Sequence, residues 1–438
     1  MTKPLISYYG DDFTGSTDVM EALAGNGVDT VLFLKIPDAA LLDRFKGARA
    51  FGLAGTSRSE SPDWMDTNLR AAFAWLKTLD ADMCHYKVCS TFDSAPQIGS
   101  IGRAIELGRA VFGDNTVPLV VGAPQIRRYT AFGQLFAAYQ GQNYRIDRHP
   151  VMARHPVTPM DEADILLHLA RQTTLTSALL DIVAVDAADA EAQLMDVLKH
   201  KPDILLLDVL DAATQAAAGR LLLDMKPHFV CGSSGVEYAL IPAWRAAGVI
   251  GDKPVFADAG PVDRISVVSG SVSPTTERQI RHALAHGFAG VVLDPMALSG
   301  EGGAEEITRA VAAGLQILAT GQSVVLHTAL GPTSDRGGEL DTSEGARHRI
   351  GQALGAIQKQ LVEKAGLSRA VVAGGDTSSH ALGEMDIAAL TLKMPLPQTP
   401  GSPLCVAHGG SVDGLQIALK GGQVGGDDYF SMIRAGRA

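Results

Sequence analysis

Residues 5–34 read LISYYGDDFTGSTDVMEALAGNGVDTVLFL, and this stretch already indicates the class of fold. Leu5–Tyr9 is a short apolar run, Ser16–Ala24 carries apolar residues at helical spacing, and Thr30–Leu34 is a second apolar run. A polar turn precedes the helical segment and a glycine follows it. We therefore predict one strand–turn–helix–strand unit of the kind that builds parallel sheets, with Ser16 or Thr17 as the helix cap.

The same alternation of strands and helices continues along the chain in two series. The first series predicts Ala50–Leu53 (strand), Leu69–Leu76 (helix), Met83–Val88 (strand), Ile98–Ala110 (helix) and Pro118–Val121 (strand). The second predicts Ile265–Val268 (strand), Thr275–His286 (helix), Gly290–Leu293 (strand), Val324–Thr328 (strand), Ala346–Glu363 (helix) and Ala370–Ala373 (strand).

Between the two series, residues 246–262 are rich in Gly, Pro and Ala and lack a clear period. We therefore predict an α/β fold with two domains, residues 1–255 and 256–438, each with a mainly parallel sheet flanked by helices. In such sheets, ligands bind beyond the carboxyl ends of the strands, so the residues that follow each strand are the candidates for a functional site.

Composition excludes several classes of protein. The chain has 438 residues and a net charge of −11, and its Arg and Lys residues are dispersed, which disfavours nucleic-acid binding. It has no uncharged apolar stretch of about 18 residues, so no membrane-spanning helix is expected. The four cysteines lack C-x-x-C pairs and the first residues lack a signal pattern. We expect a cytoplasmic enzyme or binding protein with reduced thiols.

The first candidate motif is Gly10–Asp18, directly after the first predicted strand. Its adjacent carboxylates, Asp11 and Asp12, and hydroxyls such as that of Thr14 suit binding a polyol and deprotonating one of its hydroxyls. A strand-to-helix turn in which Asp and Thr serve as caps would explain one or two of these residues. Because it does not explain the whole cluster, we favour a functional role.

Two further motifs lie in the first half. Lys87–Ser94 places a lysine, three hydroxyls including that of Ser90, and Asp93 after a predicted strand, where they could contact the carboxylate and hydroxyls of a small ligand. Arg145–Met160 concentrates positive charge, with Arg154 and His155, and could hold an anion. An ordinary polar loop and a solvated basic loop are equally good explanations of these compositions.

The second half carries glycine-rich turns after strands: Ser269–Ser273, Gly374–Ser379 and Gly421–Gly426. Unpaired N–H groups at helix starts suit phosphates, although one such turn alone is mostly tight-turn geometry. Three turns in one domain make nucleotide binding a serious hypothesis. The sequence contains no Gly-Lys dipeptide and hence no P-loop, and it contains neither G-x-G-x-x-G nor H-E-x-x-H.

Together these motifs make the chain similar to the four-carbon acid sugar kinase family, whose members phosphorylate tetronates and 3-oxo-tetronates with ATP. The resemblance spans nearly the full chain in the family's order. It is carried by Asp11–Gly15, Lys87 with Cys89–Ser94, His155–Met160, Ser269–Ser271, Gly374–Thr377 and Lys420–Gly422.

The resemblance implies an N-terminal acid-sugar domain, a C-terminal nucleotide domain and an active site in the cleft between them. It implies transfer from ATP, with Mg²⁺, to the terminal C4 hydroxyl of a 3-oxo-tetronate or tetronate, and a homodimer is expected. Asp12 is the expected base, with Asp93 as second choice. The expected sugar-binding residues are Asp11, Thr14, Arg58, Lys87, Ser90, Arg154 and His155. The expected nucleotide-binding residues are Ser271, Gly374, Gly375, Asp376, Thr377 and Gly422, and no residue is assigned as a metal ligand.

The chain departs from the family's usual pattern at three places. Asp376 stands where the family commonly has Glu, Thr56 replaces the Lys of a Lys-Ser-Arg motif, and Ala123–Tyr129 differs from a Pro-rich stretch. These differences leave the identity of the substrate open, and a related branched acid, 3-oxo-isoapionate, is the alternative. A separate alternative is a non-catalytic sensor of an acid sugar and a nucleotide.

Overall fold

The computed structural model describes residues 3–113, 115–332, 345–399 and 401–437, apart from the side chains of Asp376 and Ser379. The chain forms two compact units. Unit 1 consists of Met1–Leu32 with Asp38–Pro254, and unit 2 consists of Phe33–Pro37 with Val255–Ala438.

Unit 1 contains eleven described strands and ten described α-helices. The strands are β1 (Ile6–Gly10), β2 (Thr30–Phe33), β3 (Ala50–Ala54), β4 (Met83–Lys87), β5 (Val117–Val120), β6 (Arg128–Ala131), β7 (Gln134–Tyr139), β8 (Gln142–Arg145), β9 (Ser177–Leu180), β10 (Ile204–Leu207) and β11 (Phe229–Gly232). The helices are α1 (Phe13–Ala24), α2 (Ala39–Arg44), α3 (Pro62–Trp64), α4 (Arg70–Thr78), α5 (Ile101–Phe112), α6 (Ile165–Leu169), α7 (Ile182–Val185), α8 (Ala190–Leu198), α9 (Ala212–Met225) and α10 (Gly235–Ala246).

The main sheet of unit 1 has the strand order β2-β3-β1-β4-β11-β5-β10-β9. Every pair of neighbours from β3 to β9 is parallel. All residues of β1, β4, β5, β10 and β11 are buried, as expected for a parallel sheet covered on both faces. The register places Lys87, Gly232 and Val120 side by side, so the segments that follow these strands leave the sheet at one edge.

The first helix begins earlier than its apolar pattern suggests. Asp12 is the N-cap of α1, and its Oδ1 accepts a hydrogen bond from the Gly15 N–H at 2.6 Å. The expectation of a cap at Ser16 or Thr17 is therefore wrong, because both residues lie inside the helix and their hydroxyls donate to carbonyls of the preceding turn. The early start is possible because residue 10 is glycine: a Cβ there would lie 2.0 Å from Ser16 Oγ.

A second sheet in unit 1 was not expected from the sequence. Strands β6, β7 and β8 form a small antiparallel sheet. Its edge strand β8 contains mostly polar residues and its burial is low. A strand of this kind lacks the buried apolar run by which strands such as β1 and β5 were predicted.

Unit 2 contains strands β12 (Ser266–Ser269), β13 (Phe288–Val292), β14 (Ser323–His327), β15 (Arg369–Ala373), β16 (Ala389–Met394), β17 (Leu404–His408) and β18 (Gln416–Lys420). Its described helices are α11 (Pro274–Ala285), α12 (Pro295–Ser299), α13 (Gly303–Ala319), α14 (Ala346–Ala365), α15 (Gly375–Glu384) and α16 (Tyr429–Ala435).

The sheet of unit 2 has the order β13-β14-β12-β15-β18-β17-β16. Neighbours are parallel from β13 to β18, whereas β17 is antiparallel to both β18 and β16. The apolar core on this sheet includes Val267, Val371 and Ala418 from its central strands and Phe430 from the last helix. The prediction of two α/β units with mainly parallel sheets is confirmed.

Candidate active site

Asp12 holds a fixed carboxylate at the carboxyl end of β1. While Oδ1 accepts from Gly15, Oδ2 accepts from Arg58 Nη1 at 2.5 Å. The Asp12 side chain is 31% exposed, and Thr14 is exposed in the first turn of α1. Asp12 is therefore accessible to a ligand and is oriented by two donors.

Arg58 joins Asp12 to the neighbouring carboxylate of Asp11. It lies in a short 3₁₀ helix after β3, its N–H donates to the Asp11 carbonyl at 3.0 Å, and its Nε lies 3.3 Å from Asp11 Oδ2. Asp11 is buried, and its Oδ1 has no hydrogen-bond partner among the described residues. Burial raises the pKa of Asp11 to about 6, although the charge of Arg58 opposes this shift.

Lys87 brings a buried ammonium group to the same place. It is the last residue of β4, beside Gly10 of β1, and its carbonyl accepts from the Asp11 N–H at 2.9 Å. A Cβ at Gly15 would lie 2.8 Å from Lys87 Nζ and 2.7 Å from Asp12 Oδ1. Only glycine at this position lets the ammonium and the carboxylate come so close to the start of the helix.

The loop after β4 presents the third carboxylate. A turn closed by a hydrogen bond from the Phe92 N–H to the Cys89 carbonyl contains Ser90, which is partly buried. Asp93 is buried, and its Oδ1 accepts from Thr91 Oγ1 at 2.5 Å. Burial by itself would raise the pKa of Asp93. The charge of Arg58 and the Thr91 hydrogen bond outweigh this effect and hold the pKa below its usual range.

Thr158 connects the basic stretch Arg145–Met160 to this loop, since its hydroxyl lies 3.3 Å from Asp93 Oδ2. The His155 Nδ1 accepts from the Thr158 N–H at 3.1 Å, so a neutral His155 carries its proton on Nε2. Arg154 is exposed. The stretch therefore contributes the Thr158 hydroxyl next to Asp93 and an accessible guanidinium.

A buried pair of polar residues near Lys87 was not predicted from the sequence. His85 and Glu237 are fully buried, with 2.6 Å between His85 Nδ1 and Glu237 Oε1. Burial raises the pKa of Asp18, and the nearby charge of Lys87 opposes this shift. The sequence feature next to this group is the pair of serines directly after β11, Ser233 and Ser234.

In unit 2, the three glycine turns follow three neighbouring parallel strands, β12, β15 and β18. The Gly270 N–H donates to the Ala373 carbonyl at 3.2 Å, and the Gly374 N–H donates to the Lys420 carbonyl at 2.8 Å. Two turns open helices, α11 and α15, whose first N–H groups lack partners within the helix. This arrangement suits an anion.

Hydroxyl groups link the first and third turns. Thr276 Oγ1 lies 3.0 Å from Ser271 Oγ and 3.2 Å from the Gly422 carbonyl. The ammonium group of Lys420 donates to Thr276 Oγ1 at 3.1 Å and to the Gly421 carbonyl at 2.7 Å. Lys420 is fully buried without a described carboxylate partner, and burial lowers its pKa to about 8.

The middle turn depends on glycine. Gly374 has φ +123°, and a Cβ there would lie 2.7 Å from Thr377 Oγ1 and 3.6 Å from the Ser271 N–H nitrogen. Gly375 is the first residue of α15, and a Cβ there would meet nothing within 4 Å. The side chain of Asp376 lies outside the described part of the structure.

The predicted site residues thus form groups within each unit. Asp11, Asp12, Arg58 and Lys87 form one cluster, and Asp93 and His155 form another that the charge of Arg58 reaches. Thr14, Ser90 and Arg154 lie on the same segments without a described contact to these clusters. Within the described residues, no three His, Cys, Asp or Glu side chains come together as a metal site, and no helix has the length and apolarity to cross a bilayer.

Comparison with known proteins identifies both units. Residues 6–240 match the model of a sugar-binding N-terminal domain, and residues 266–430 match that of a nucleotide-binding C-terminal domain. A 3-oxo-isoapionate kinase of Paraburkholderia graminis is 46% identical over 99% of this chain and 94% of its own length. A 3-oxo-tetronate kinase of Methylobacterium radiotolerans is 32% identical over 96% of each chain. One of Cupriavidus necator is 29% identical over 98% of this chain and 96% of its own.

Solved structures support the fold. A Haemophilus influenzae protein superposes with a TM-score of 0.77 at 23% identity, covering 97% of this chain and 98% of that one. A Salmonella typhimurium protein superposes with a TM-score of 0.80 at 24% identity, covering 99% and 98%. With both domain models matched in order and a relative of 46% identity over its length, this chain belongs to the four-carbon acid sugar kinase family.

Proposed function

We propose that this protein is an ATP-dependent kinase that phosphorylates a terminal hydroxyl of a small 3-oxo sugar acid. The observation that carries the proposal is the presence of two matched chemical sites in one chain. One is the Asp11–Asp12–Arg58 cluster at the strand ends of the sugar-binding domain. The other is the set of three glycine turns at the strand ends of the nucleotide-binding domain.

As the substrate we propose a branched acid such as 3-oxo-isoapionate. The kinase of that acid is 46% identical to this chain, whereas the 3-oxo-tetronate kinases compared above are 29% and 32% identical. A 3-oxo-tetronate or a tetronate phosphorylated at the C4 hydroxyl is the second candidate, supported by the same domain pair.

ATP supplies the phosphoryl group, which leaves ADP when the substrate oxygen forms its bond to the γ-phosphorus. In the proposed mechanism Asp12 accepts the proton of the attacking hydroxyl, because its carboxylate is accessible and two donors hold it in place. The positive charge of Arg58 offsets the repulsion between the carboxylates of Asp11 and Asp12. Asp93, held below its usual pKa, is the second candidate base.

The phosphates would bind the N–H groups of the three turns, with Ser271, Gly374, Gly375, Thr377 and Gly422 around them. We propose Mg²⁺ as the companion of ATP, held mainly by the phosphates. The hydroxyls of Ser271 and Thr377 offer oxygen ligands of the type that Mg²⁺ prefers, and Asp376 is the carboxylate that the sequence offers. For the acid sugar, Thr14, Lys87, Ser90, Arg154 and His155 remain the proposed contacts.

The purified chain should be incubated with ATP, Mg²⁺ and a panel of acids, following ADP release and the phosphorus spectrum of the product. The panel contains 3-oxo-isoapionate, 3-oxo-tetronates and the tetronates, with the neutral four-carbon alditols as controls. We expect turnover of at least one 3-oxo acid and none of the alditols. Binding of an acid and ATP without ADP release would favour the non-catalytic sensor.

The expected homodimer and cytoplasmic location also remain predictions. Sedimentation velocity of the purified chain and fractionation of the producing cells would test them.

A further inference from the structure

The guanidinium of the first cluster is already engaged by carboxylates of the protein, and the ammonium group of Lys87 lies near them. Arg58 contacts both Asp11 and Asp12. Lys87 Nζ and the nearest oxygens of both aspartates all lie within 4 Å of the point where Gly15 would carry a Cβ. A bound sugar acid brings one more negative charge into this region, and a guanidinium that the protein's own carboxylates leave free is the group suited to it.

Arg128 is such a group. It begins β6 and is fixed by two backbone hydrogen bonds with Ala123, of 2.9 and 3.1 Å. Ala123 comes three residues after β5, so Arg128 is held near the same edge of the sheet as the ends of β4 and β11. The backbone of Arg128 is therefore positioned on the rigid part of unit 1, at the edge where its polar loops emerge.

The guanidinium of Arg128 is only partly satisfied. Its Nη1 donates to the Ile126 carbonyl at 3.0 Å, while Nε is buried and has no acceptor among the described residues. No described carboxylate forms an ion pair with it, and burial lowers the pKa of its guanidinium. A buried donor without an acceptor is costly, and a bound anion would remove that cost.

The surroundings of Arg128 are those of the proposed sugar site. Cys89, in the loop that carries Ser90 and Asp93, lies within electrostatic range of Arg128. After burial, Arg128 is the main influence that lowers the pKa of His149, a buried residue of the basic stretch. Arg128 is therefore within electrostatic range of both segments for which anion binding is predicted.

We propose that Arg128 binds the carboxylate of the sugar acid and so makes unit 1 select an acid over a neutral polyol. This inference rests on the proposed function. A guanidinium offers parallel N–H donors that match a carboxylate in bidentate geometry. Arg58 then pairs with Asp11 and Asp12, and Arg128 binds the carboxylate of the substrate.

The test compares Arg128→Gln with Arg127→Gln. Arg127 is the matched control because it is the adjacent arginine, is exposed, and donates to the Gly141 carbonyl at 3.1 Å. For the acid that the wild type phosphorylates, we expect Arg128→Gln to raise KM at least tenfold. The KM for ATP should change less than twofold, and Arg127→Gln should leave both values unchanged.

A second measurement addresses selectivity directly. Calorimetric titration with the acid and with the alditol of the same carbon number should show that Arg128→Gln loses affinity for the acid only. Arg128→Lys keeps the positive charge but loses the paired N–H donors of the guanidinium. Its affinity for the acid should therefore lie between those of the wild type and Arg128→Gln. If Arg128→Gln melts below the assay temperature, a raised KM in Arg128→Lys with a native melting curve supports the proposal.

Unchanged KM and acid affinity in well-folded Arg128 variants, with an active wild type, would overturn the role of Arg128 and leave the kinase function standing. A wild type that binds an acid without turnover would contradict the proposed function. Calorimetry on the variants would then still decide the role of Arg128. A wild type that binds no acid would overturn both.

Discussion

At the scale of single residues, one guanidinium allows two adjacent carboxylates to share a small space. Arg58 contacts Asp11 and Asp12, and its charge also reaches Asp93. The pKa of Asp11 is raised to about 6 by burial, while that of Asp93 is held below its usual range. The surroundings thus shift the pKa values of Asp11 and Asp93 in opposite directions. Such a separation of pKa values is typical of carboxylates with different roles in one site.

We expect Asp12→Asn to lower kcat by about 10²–10⁴-fold, since a general base contributes about that much to the rate. Asparagine is as good an N-cap as aspartate, so it can still accept from the Gly15 N–H and α1 should remain intact. Steady-state kinetics should show the loss of kcat with the KM for ATP unchanged.

Asp93→Asn is the comparison for this experiment, because Asp93 is the second candidate base. If Asp12 is the base, Asp93→Asn should lose less activity than Asp12→Asn. A loss below about tenfold in Asp12→Asn would mean that Asp12 only positions the substrate, and a larger loss in Asp93→Asn would transfer the role.

Lys420 should make the stability of the protein depend on pH. Its pKa in the folded state is about 8, below the ordinary 10.5, so the folded form releases this proton before the unfolded form does. The unfolded state therefore binds more protons between these values, and stability rises with pH from about 8 to 10.5. Relative to Lys420→Met, the wild type should gain melting temperature between pH 7 and 9.5.

The same variant should bind ATP more weakly at pH 7, because it lacks the positive charge next to Thr276 and Gly421. Lys393→Met is the control, since Lys393 is exposed in β16. Equal pH dependence of melting in Lys420→Met and wild type would show that Lys420 does not carry the buried charge assigned to it.

At the scale of secondary-structure elements, the strands of the two main sheets were predictable where they are short, apolar and fully buried. The predicted runs Met83–Val88 and Pro118–Val121, which contain β4 and most of β5, and the central strands of unit 2 are of this kind. The start of α1 was misjudged because the cap is a carboxylate that also belongs to the candidate site. The polar β8 has no burial signal, and its pairing depends on tertiary contacts.

The members of the candidate site were easier to predict than its contacts. Strand ends directed attention to Asp12, Lys87 and the glycine turns. The ion pairs of Arg58, however, join residues 46 and 47 positions apart, and only the folded sheet brings them together. In the sequence, Arg128 stood out only as part of Ala123–Tyr129, the segment that departs from the family's Pro-rich pattern.

The glycine at the start of α15 offers a test at this scale. A Cβ at Gly375 meets nothing within 4 Å, so Gly375→Val should fold normally. Its side chain would project from the first turn of the helix, where we expect phosphate, and should abolish ATP binding measured by calorimetry. Gly383→Val is the matched control, because Gly383 lies in the same helix and a Cβ there would also meet nothing within 4 Å.

If Gly375→Val has a native melting curve and an unchanged affinity for ATP, the phosphates do not bind at this turn. Loss of affinity in both variants would instead indicate a general effect on α15.

At the scale of the whole molecule, each unit has its own parallel sheet with its own polar strand ends. Ligands should therefore protect different parts of the chain from hydrogen exchange. A non-hydrolysable ATP analogue should slow exchange in residues 269–276, 374–378 and 420–426. A sugar acid should slow exchange in residues 10–18, 57–59, 87–94 and 152–160.

Mass spectrometry of the peptides measures this directly. Helix α8 (Ala190–Leu198) of unit 1, which has no described hydrogen bond to the proposed site residues, serves as an internal reference. Protection of the first set of segments by the acid alone, or of the second by the nucleotide alone, would contradict the assignment of the two domains.

The chain segment Phe33–Pro37 belongs to unit 2 although the residues on both sides of it belong to unit 1. Its Leu34 N–H donates to the Ala388 carbonyl at 3.0 Å. During synthesis this segment leaves the ribosome more than 200 residues before the rest of its unit. The gene therefore cannot be divided by one cut into two self-sufficient modules, and a chimera that exchanges only the C-terminal half inherits its five-residue piece from the other parent.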